Sequence, residues 1–373
     1  MTLSSKVFPI ICVLLAVLLI EAEAGRAEPI RIAYSVVSWT MSAAYMAEDA
    51  GLFKKRGLDV QLVYIPSSGT SVQALLGGSV DIITPGSSGV IIAVVRGVPI
   101  VTVAASTRRA PFTLFVQPEL TRADQLKGKV VGVSRFNSTS HMMAVLILRK
   151  LGIENAVSIR QLGDSSSMHN AFEQKGVAAM VTAVKPRLQA RAIADAVDLD
   201  IPYASSMVTV THAYLRENRD IVERVMRAYI EGMSLLLNQK DTAKRMFAKY
   251  IRRSDPEFLE DTYDTAKKYL EPVPRVDPRI VAPVLDYAGI KNVDANEVAA
   301  KVIDNSVMDK LQKEPFIESL FGKKKYAWRG AKSAEQGSRL VENRRKQTDG
   351  GKNWNIGARR NLLYSGFGVC RIV

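Results

Sequence analysis

The chain has 373 residues, 47% of them hydrophobic and 24% charged, which gives length for about two domains and enough apolar side chains to bury their cores. That balance excludes a chain disordered throughout, and two cysteines exclude both a disulfide scaffold and a cysteine-rich metal site. The formal charge of +14 invites a nucleic-acid or anionic-membrane reading until the charge has been located along the chain.

At the N-terminus, Lys6 precedes the apolar run Val7 to Ile20, and Ala22-Glu23-Ala24 supplies a small-x-small cleavage site. Fourteen apolar residues fall short of the roughly 20 a membrane span needs. The pattern predicts a cleaved secretion signal over residues 1–24. Cys12 lies inside the apolar run and not at its end, so it does not read as a lipid-attachment site.

Next comes a run of alternating elements. Strands are predicted at Ile30–Tyr34, Leu58–Leu62, Val80–Thr84 and Val98–Ala105, and helices at Met41–Lys55, from Ser67 to Leu76, and after Pro85-Gly86. Strands alternating with helices at this spacing predict a mainly parallel α/β sheet. The rhythm starts again at the strands Phe112–Val116 and Val130–Ser134. A helix capped by Asn137 to Ser140 runs to Leu151, and the strand Ser158–Leu162, the helix Ser165–Gln174 and the strand Ala178–Ala183 complete the second set. The stretch Leu76 to Pro85 has a faint echo in Phe172 to Pro186, so two lobes of related design are expected.

After Tyr203 one more strand, Met207–Tyr214, is followed only by helices. Glu217–Leu237 is the longest, and Asp241, Asp255-Pro256, Asp277-Pro278 and Asp294 mark the starts of the next four. If the second lobe is inserted into the first, the chain crosses between them near 105–112 and near 203–214. The expected organisation is therefore lobe 1 at 25–110, lobe 2 at 111–206, and a mostly helical return packed on lobe 1 at 207–322. Residues 323–373 have no sustained period and hold 13 Lys/Arg against 3 Asp/Glu, a net +10, which predicts a disordered basic tail. The body 25–322 keeps only +5, so no nucleic-acid partner is expected of it.

In an open parallel sheet, ligands bind beyond the carboxyl ends of the strands. Four such loops are rich in small polar residues: Ser35 to Thr40, Ser67-Ser68-Gly69-Thr70, Pro85-Gly86-Ser87-Ser88 and Asn137-Ser138-Thr139-Ser140. The last three run into helices, whose free N–H groups suit an anion, although each loop is also an ordinary cap. Trp39 either walls a planar ligand or packs on a neighbouring helix. Arg108 and Arg109, at the first crossing, either reach an acidic ligand or stay solvated, and Lys185 could approach the cleft from lobe 2.

The phrase Ala47-Glu48-Asp49-Ala50-Gly51-Leu52-Phe53-Lys54-Lys55-Arg56-Gly57-Leu58-Asp59-Val60 resembles the solute-binding proteins of bacterial ABC importers in the sulfonate, taurine and nitrate group, with their thiamine-pyrimidine-precursor relatives. Gly78 to Ile82, Leu126 to Val133 and the 217–237 helix stand where that family has them, and the resemblance covers about residues 28–320. It implies a type II periplasmic binding fold with two Rossmann-like lobes and a two-strand hinge. It also implies a monomer without cofactor in the periplasm, which closes on a small solute and delivers it to an inner-membrane permease. Carried over by position, the ligand loops fall on Ser38 and Trp39, Ser67 to Thr70, Gly86 to Ser88, and Asn137 to Ser140, with Arg109 added on its chemistry. Ala179 stands where the family usually carries Asp, and nothing in the family matches the tail.

An enzyme reading finds little. His141, His169 and His212 are the only histidines and have no metal-ligand spacing. Nucleophile-elbow, P-loop and dinucleotide fingerprints are missing from the sequence, and the body has no cysteine. The enzymatic relatives implied by the resemblance, pyrimidine synthases of thiamine biosynthesis, carry a cysteine-rich motif that this chain lacks. The expectation is a binder of a small organic anion, with a pyrimidine precursor or other heteroaromatic solute as the alternative.

Overall fold

The computed structural model describes residues 29–322 except Val36, Ala110, Asp164, Arg187 and Leu188. The secretion signal and the basic tail read from the sequence lie outside the described residues.

Two five-stranded sheets form the framework. The first holds β1 (Ile30–Tyr34), β2 (Val60–Tyr64), β3 (Ile82–Thr84), β4 (Ile100–Ala105) and β10 (Met207–Thr211), in the order β2-β1-β3-β10-β4. The second holds β5 (Thr113–Val116), β6 (Val130–Val133), β7 (Ser158–Gln161), β8 (Ala179–Thr182) and β9 (Arg191–Asp195), in the order β7-β6-β8-β5-β9. In each sheet three strands run parallel, β1 with β2 and β3, and β6 with β7 and β8. The strand that arrives from the other lobe enters each sheet antiparallel: β10 between β3 and β4, and β5 between β8 and β9. This is the two-lobed type II arrangement, and the echo between residues 76–85 and 172–186 corresponds to β3 and β8, which hold equivalent places in the two sheets.

Burial alternates along the strands of the first sheet. Ile32, Ile82, Val101 and Val103 face one core cluster, while Ala33, Ile83, Ile100 and Ala105 face another. The first cluster is covered by α1 (Ser42–Asp49), α2 (Leu52–Lys55), α8 (Arg219–Asn238), α9 (Lys240–Ile251) and α10 (Pro256–Tyr269). The second runs through α3 (Ser68–Leu76), α4 (Ser87–Val95) and α5 (Thr139–Lys150) into the second sheet. A small third cluster around Phe172, from α6 (Ser165–Glu173), covers the far face of that sheet.

After β10 come α7 (His212–Glu217) and the remaining helices α11 (Val281–Tyr287), α12 (Ala295–Val302), α13 (Ser306–Lys313) and α14 (Pro315–Phe321). Three of the Asp starts hold as caps: Asp255, Asp277 and Asp294 accept from the N–H groups of Phe258, Arg279 and Asn296. Most of this C-terminal part packs on lobe 1, but α11 also lies against α5 of lobe 2.

Some elements differ from the sequence expectation. The helix predicted at 41–55 is broken at Gly51, whose φ of 65° ends one helix and starts the next. The strand predicted to Tyr214 stops at Thr211, because the Thr211 hydroxyl accepts from the Tyr214 N–H and starts α7. The edge strand β9 was not expected, since its exposed and half-exposed residues lack an apolar face.

Candidate functional site: a cleft between two lobes

The chain leaves the first sheet after Ala105 and, following a turn at 196–200, returns along 201–206, and residues 106–109 and 202–205 pair with each other. Ser106 Oγ donates to Ser205 O at 3.0 Å, Ser205 N to Thr107 Oγ1 at 3.0 Å, and Tyr203 N to Arg108 O at 3.2 Å, and Arg109 bridges Pro202 antiparallel. Side-chain hydroxyls thus replace part of the backbone ladder, and the segments form two linked extended straps instead of a continuous sheet. Two such straps are what a hinge motion requires.

The polar loops follow the carboxyl ends of the strands. From lobe 1 come residues 35–40 after β1, 65–68 after β2 and 85–86 after β3, and from lobe 2 comes 134–138 after β6. The lobe 1 loops support one another: Ser35 Oγ lies 2.8 Å from Ser71 Oγ, and Ser71 Oγ donates to Ser67 O at 3.1 Å. The starts of α3 and α4 cross so closely that a Cβ on Gly89 would lie 2.3 Å from Ser68 Cβ. The two lobes then meet across the cleft at Gly86 and Thr139, where a Cβ on Gly86 would lie 3.1 Å from Thr139 Oγ1.

Within this frame the expected residues have different fates. Ser67, Gly69, Thr70 and Asn137 are exposed, with Ser38, Ser68, Gly86, Ser138 and Thr139 half-buried beside them. Ser87, Ser88 and Ser140 are buried. Ser140 Oγ accepts from Ser134 N at 2.9 Å and pairs with the hydroxyls of Ser134 and Ser138, so the serines of the lobe 2 loop largely satisfy one another. Ser38 caps the short 3-10 turn Trp39–Met41, accepting from Thr40 N.

Trp39 departs from the aromatic-wall expectation. It is 4% exposed, packed in the first core cluster with its ring 6.5 Å from that of Tyr269 on α10. Burying an indole against that helix removes more apolar surface from water than a cleft wall would. Arg108 is held by Glu271 at 2.7 Å, outside the polar loops. Arg109 is exposed on the hinge, 3.9 Å from Asp200, and the structure does not bring it among the serine loops. Lys185 is exposed beyond β8.

Four residues that the sequence reading did not select belong to the same region. Tyr203, from the second strap, is fully buried with its hydroxyl 2.7 Å from Thr139 Oγ1 and facing Ser87 and Ser88, and burial pushes its pKa up. Phe136, 50% exposed, stands edge-on to His141 at 5.1 Å. His141 Nδ1 accepts from Asn137 N at 3.1 Å and lies 2.7 Å from the Tyr287 hydroxyl. Burial lowers the pKa of His141 and raises that of Tyr287 to about 12. With Arg149 donating to Asp286 at 2.6 Å, these contacts tie α5 of lobe 2 to α11. The available signal for Tyr203 was its position, a single phenol beside Ala204-Ser205-Ser206 at the crossing; for Tyr287, far along the chain, there was none.

The arrangement is suited to enclosing a small polar molecule. Helix N-termini from both lobes converge, hydroxyls outnumber carboxylates in the loops, and burial lowers the pKa of the histidine there, His141.

The family model of NMT1/THI5-like proteins matches residues 39–243, from the first cleft loop to the first turn of α9. Among curated proteins, YtlA of Bacillus subtilis strain 168, described as a binding protein, is 24% identical over 287 residues, covering 70% of this chain and 85% of its own length. Among solved structures, the periplasmic aliphatic sulphonate binding protein SsuA of Escherichia coli superposes with a TM-score of 0.59 at 20% identity, covering 71% of this chain and 92% of its own. The periplasmic nitrate-binding protein NrtA of Synechocystis PCC 6803 gives 0.58 at 13% identity, with 77% and 89% covered. At such identities the structures speak for the fold, while the family match spans more than half of the sequence. The chain belongs to the NMT1/THI5-like family and has the two-lobed type II fold of periplasmic binding proteins.

Proposed function

We propose that this protein is the extracytoplasmic solute-binding component of an ABC importer. It captures a small organic anion of the sulfonate or nitrate kind in the cleft, closes by hinge motion, and presents the solute to a membrane permease. The observation that carries this reading is the meeting of the N-termini of α4 and α5 across the cleft at Gly86 and Thr139, beside paired hinge straps. Helix N-termini favour negative charge through free N–H groups and the helix dipole. Closure is driven by contacts that exist only when both lobes touch the solute.

Supporting context comes from the names of similar proteins, which are binding proteins for aliphatic sulphonates and nitrate. The secretion signal read at residues 1–24 fits a protein that works outside the cytoplasm. Binding without catalysis fits a site whose loops carry hydroxyls and no paired carboxylates.

One observation favours a second reading, a heteroaromatic solute such as a thiamine pyrimidine precursor. Phe136 presents a half-exposed ring beside the α5 N-terminus, where a planar solute could stack. A single experiment separates the two. Sulfonates, nitrate, carboxylates and pyrimidine precursors are added at millimolar concentration and the melting temperature is followed, since a ligand at about 100 times its Kd stabilises by about 2.7 kcal/mol. A rise with sulfonates or nitrate supports the first reading and a rise with pyrimidines alone the second. No rise with any of them, and no small molecule released in native mass spectrometry, removes the importer reading.

A further inference from the structure

The N-termini of α4 and α5 belong to different lobes, and what lies between them is a side chain of the protein itself. Tyr203 projects from the second hinge strap, is fully buried, and places its hydroxyl 2.7 Å from Thr139 Oγ1 in the first turn of α5. On the other side the hydroxyl faces Ser87 and Ser88, in the first turn of α4. The strap is fixed where the ring starts: Tyr203 N donates to Arg108 O at 3.2 Å, and Ser87 N to Ala204 O at 3.0 Å.

Room for the phenol depends on Gly86. A Cβ there would stand 2.0 Å from the Tyr203 hydroxyl and 3.1 Å from Tyr203 Cζ, so a side chain at this position would drive the ring out. Ser87 Oγ, buried in the same place, makes no hydrogen bond of ordinary geometry. Ser87 Oγ, at the start of a nine-residue helix and facing the phenol, is thus a buried hydroxyl with unused capacity to bond a further oxygen. Burial keeps the phenol neutral, so the hydroxyl can both donate and accept there.

We propose that Tyr203 is an internal occupant of the head-group position of the cleft: its hydroxyl takes the place of a solute oxyanion, ties the two lobes together when no solute is bound, and has to be displaced for an oxyanion to enter. The proposal rests on the solute-capture reading above and adds a specificity rule to it. A bare small anion only exchanges one set of contacts for another and binds weakly. A solute that also reaches the exposed Thr70 and Asn137 gains contacts that the phenol does not make, and only that difference shifts the equilibrium.

The test uses the full chain with Cys12→Ser and Cys370→Ser, and spin labels on Gln61→Cys in β2 and Arg160→Cys in β7, both exposed edge-strand positions. Without added solute, Tyr203→Phe is expected to broaden the inter-label distances toward longer values, because it removes only the oxygen that joins the lobes. An unchanged distribution overturns the proposal. In a second arm, methanesulfonate is titrated by calorimetry into the parent protein and into Tyr203→Ala, with circular dichroism to establish that the variant is folded. Binding about tenfold or more tighter in Tyr203→Ala is expected, since the competing occupant is gone. Equal or weaker binding by the folded variant overturns the proposal, even if Tyr203→Phe opens the lobes. Should Tyr203→Ala fail to fold, the distance measurement on Tyr203→Phe decides alone. Neither arm needs the natural solute, so a solute panel that leaves the parent protein unmoved counts against the importer reading and leaves both measurements valid.

Discussion

His141 shows how one side chain near the cleft ties stability to pH. Its Nδ1 accepts from the Asn137 N–H, so the neutral ring carries its proton on Nε2, and the Tyr287 hydroxyl completes the set. Tyr287, with its pKa raised to about 12 by burial, remains a donor throughout the physiological range. Burial lowers the His141 pKa, so below about 6.5, the unfolded value, the unfolded chain binds the proton more readily than the folded one. The stabilising contribution is complete above that value and is lost as pH falls through the folded pKa. His141→Gln, whose amide oxygen can still accept, is expected to flatten this dependence. Melting temperatures should fall further between pH 7.5 and pH 5.5 in the parent protein than in the variant. Equal slopes would show that His141 does not titrate against folding.

At the scale of elements, the pairing of α1 and α8 holds lobe 1 together, and Gly232 sets its closeness. A Cβ at Gly232 would stand 2.5 Å from Ala43 O and 2.8 Å from Ala47 N, both backbone atoms of α1 that cannot turn aside. Ala43, Ala44 and Ala47 present the matching small face, and all three are buried. An alanine normally improves an exposed helix interior by about 1 kcal/mol over glycine. Here Gly232→Ala is expected to do the reverse, lowering stability by about 1–3 kcal/mol as an overpacked contact pushes the helices apart. A thermal melt at or above that of the parent protein would refute the close-approach reading. Nothing in the 217–237 pattern signalled this glycine, because a mid-helix glycine looks like a weak residue until the partner helix is known. Helix starts were different: Asp255-Pro256 and Asp277-Pro278 were legible because the cap oxygen bonds within its own turn.

At the scale of the whole molecule, both sheets, their connecting straps and the described core clusters lie within residues 29–322. A chain ending after Gly322 is therefore expected to fold with the melting temperature and the solute response of the full protein. Loss of cooperative unfolding on truncation would show that residues 323–373 contribute to the fold. Removing them takes away +10 of the +14 formal charge, so the shortened chain should also bind a cation-exchange resin far less strongly.

The sequence by itself determined the two-lobed α/β plan, the family resemblance and the small-residue loops, because strand alternation, helix caps and turn glycines are local and each is written within a few residues. It also located the excess charge. Only the tertiary structure decided which of those residues share a space. Ser134, Ser138 and Ser140 satisfy one another, Trp39 goes into the core, Arg108 goes to Glu271, and Tyr203 fills the place between Gly86 and Thr139. Each outcome depends on contacts between residues tens to more than a hundred positions apart or on competition among neighbouring hydroxyls. The long-range contacts form only after the chain has crossed to the second lobe and come back, so no window along the chain contains them.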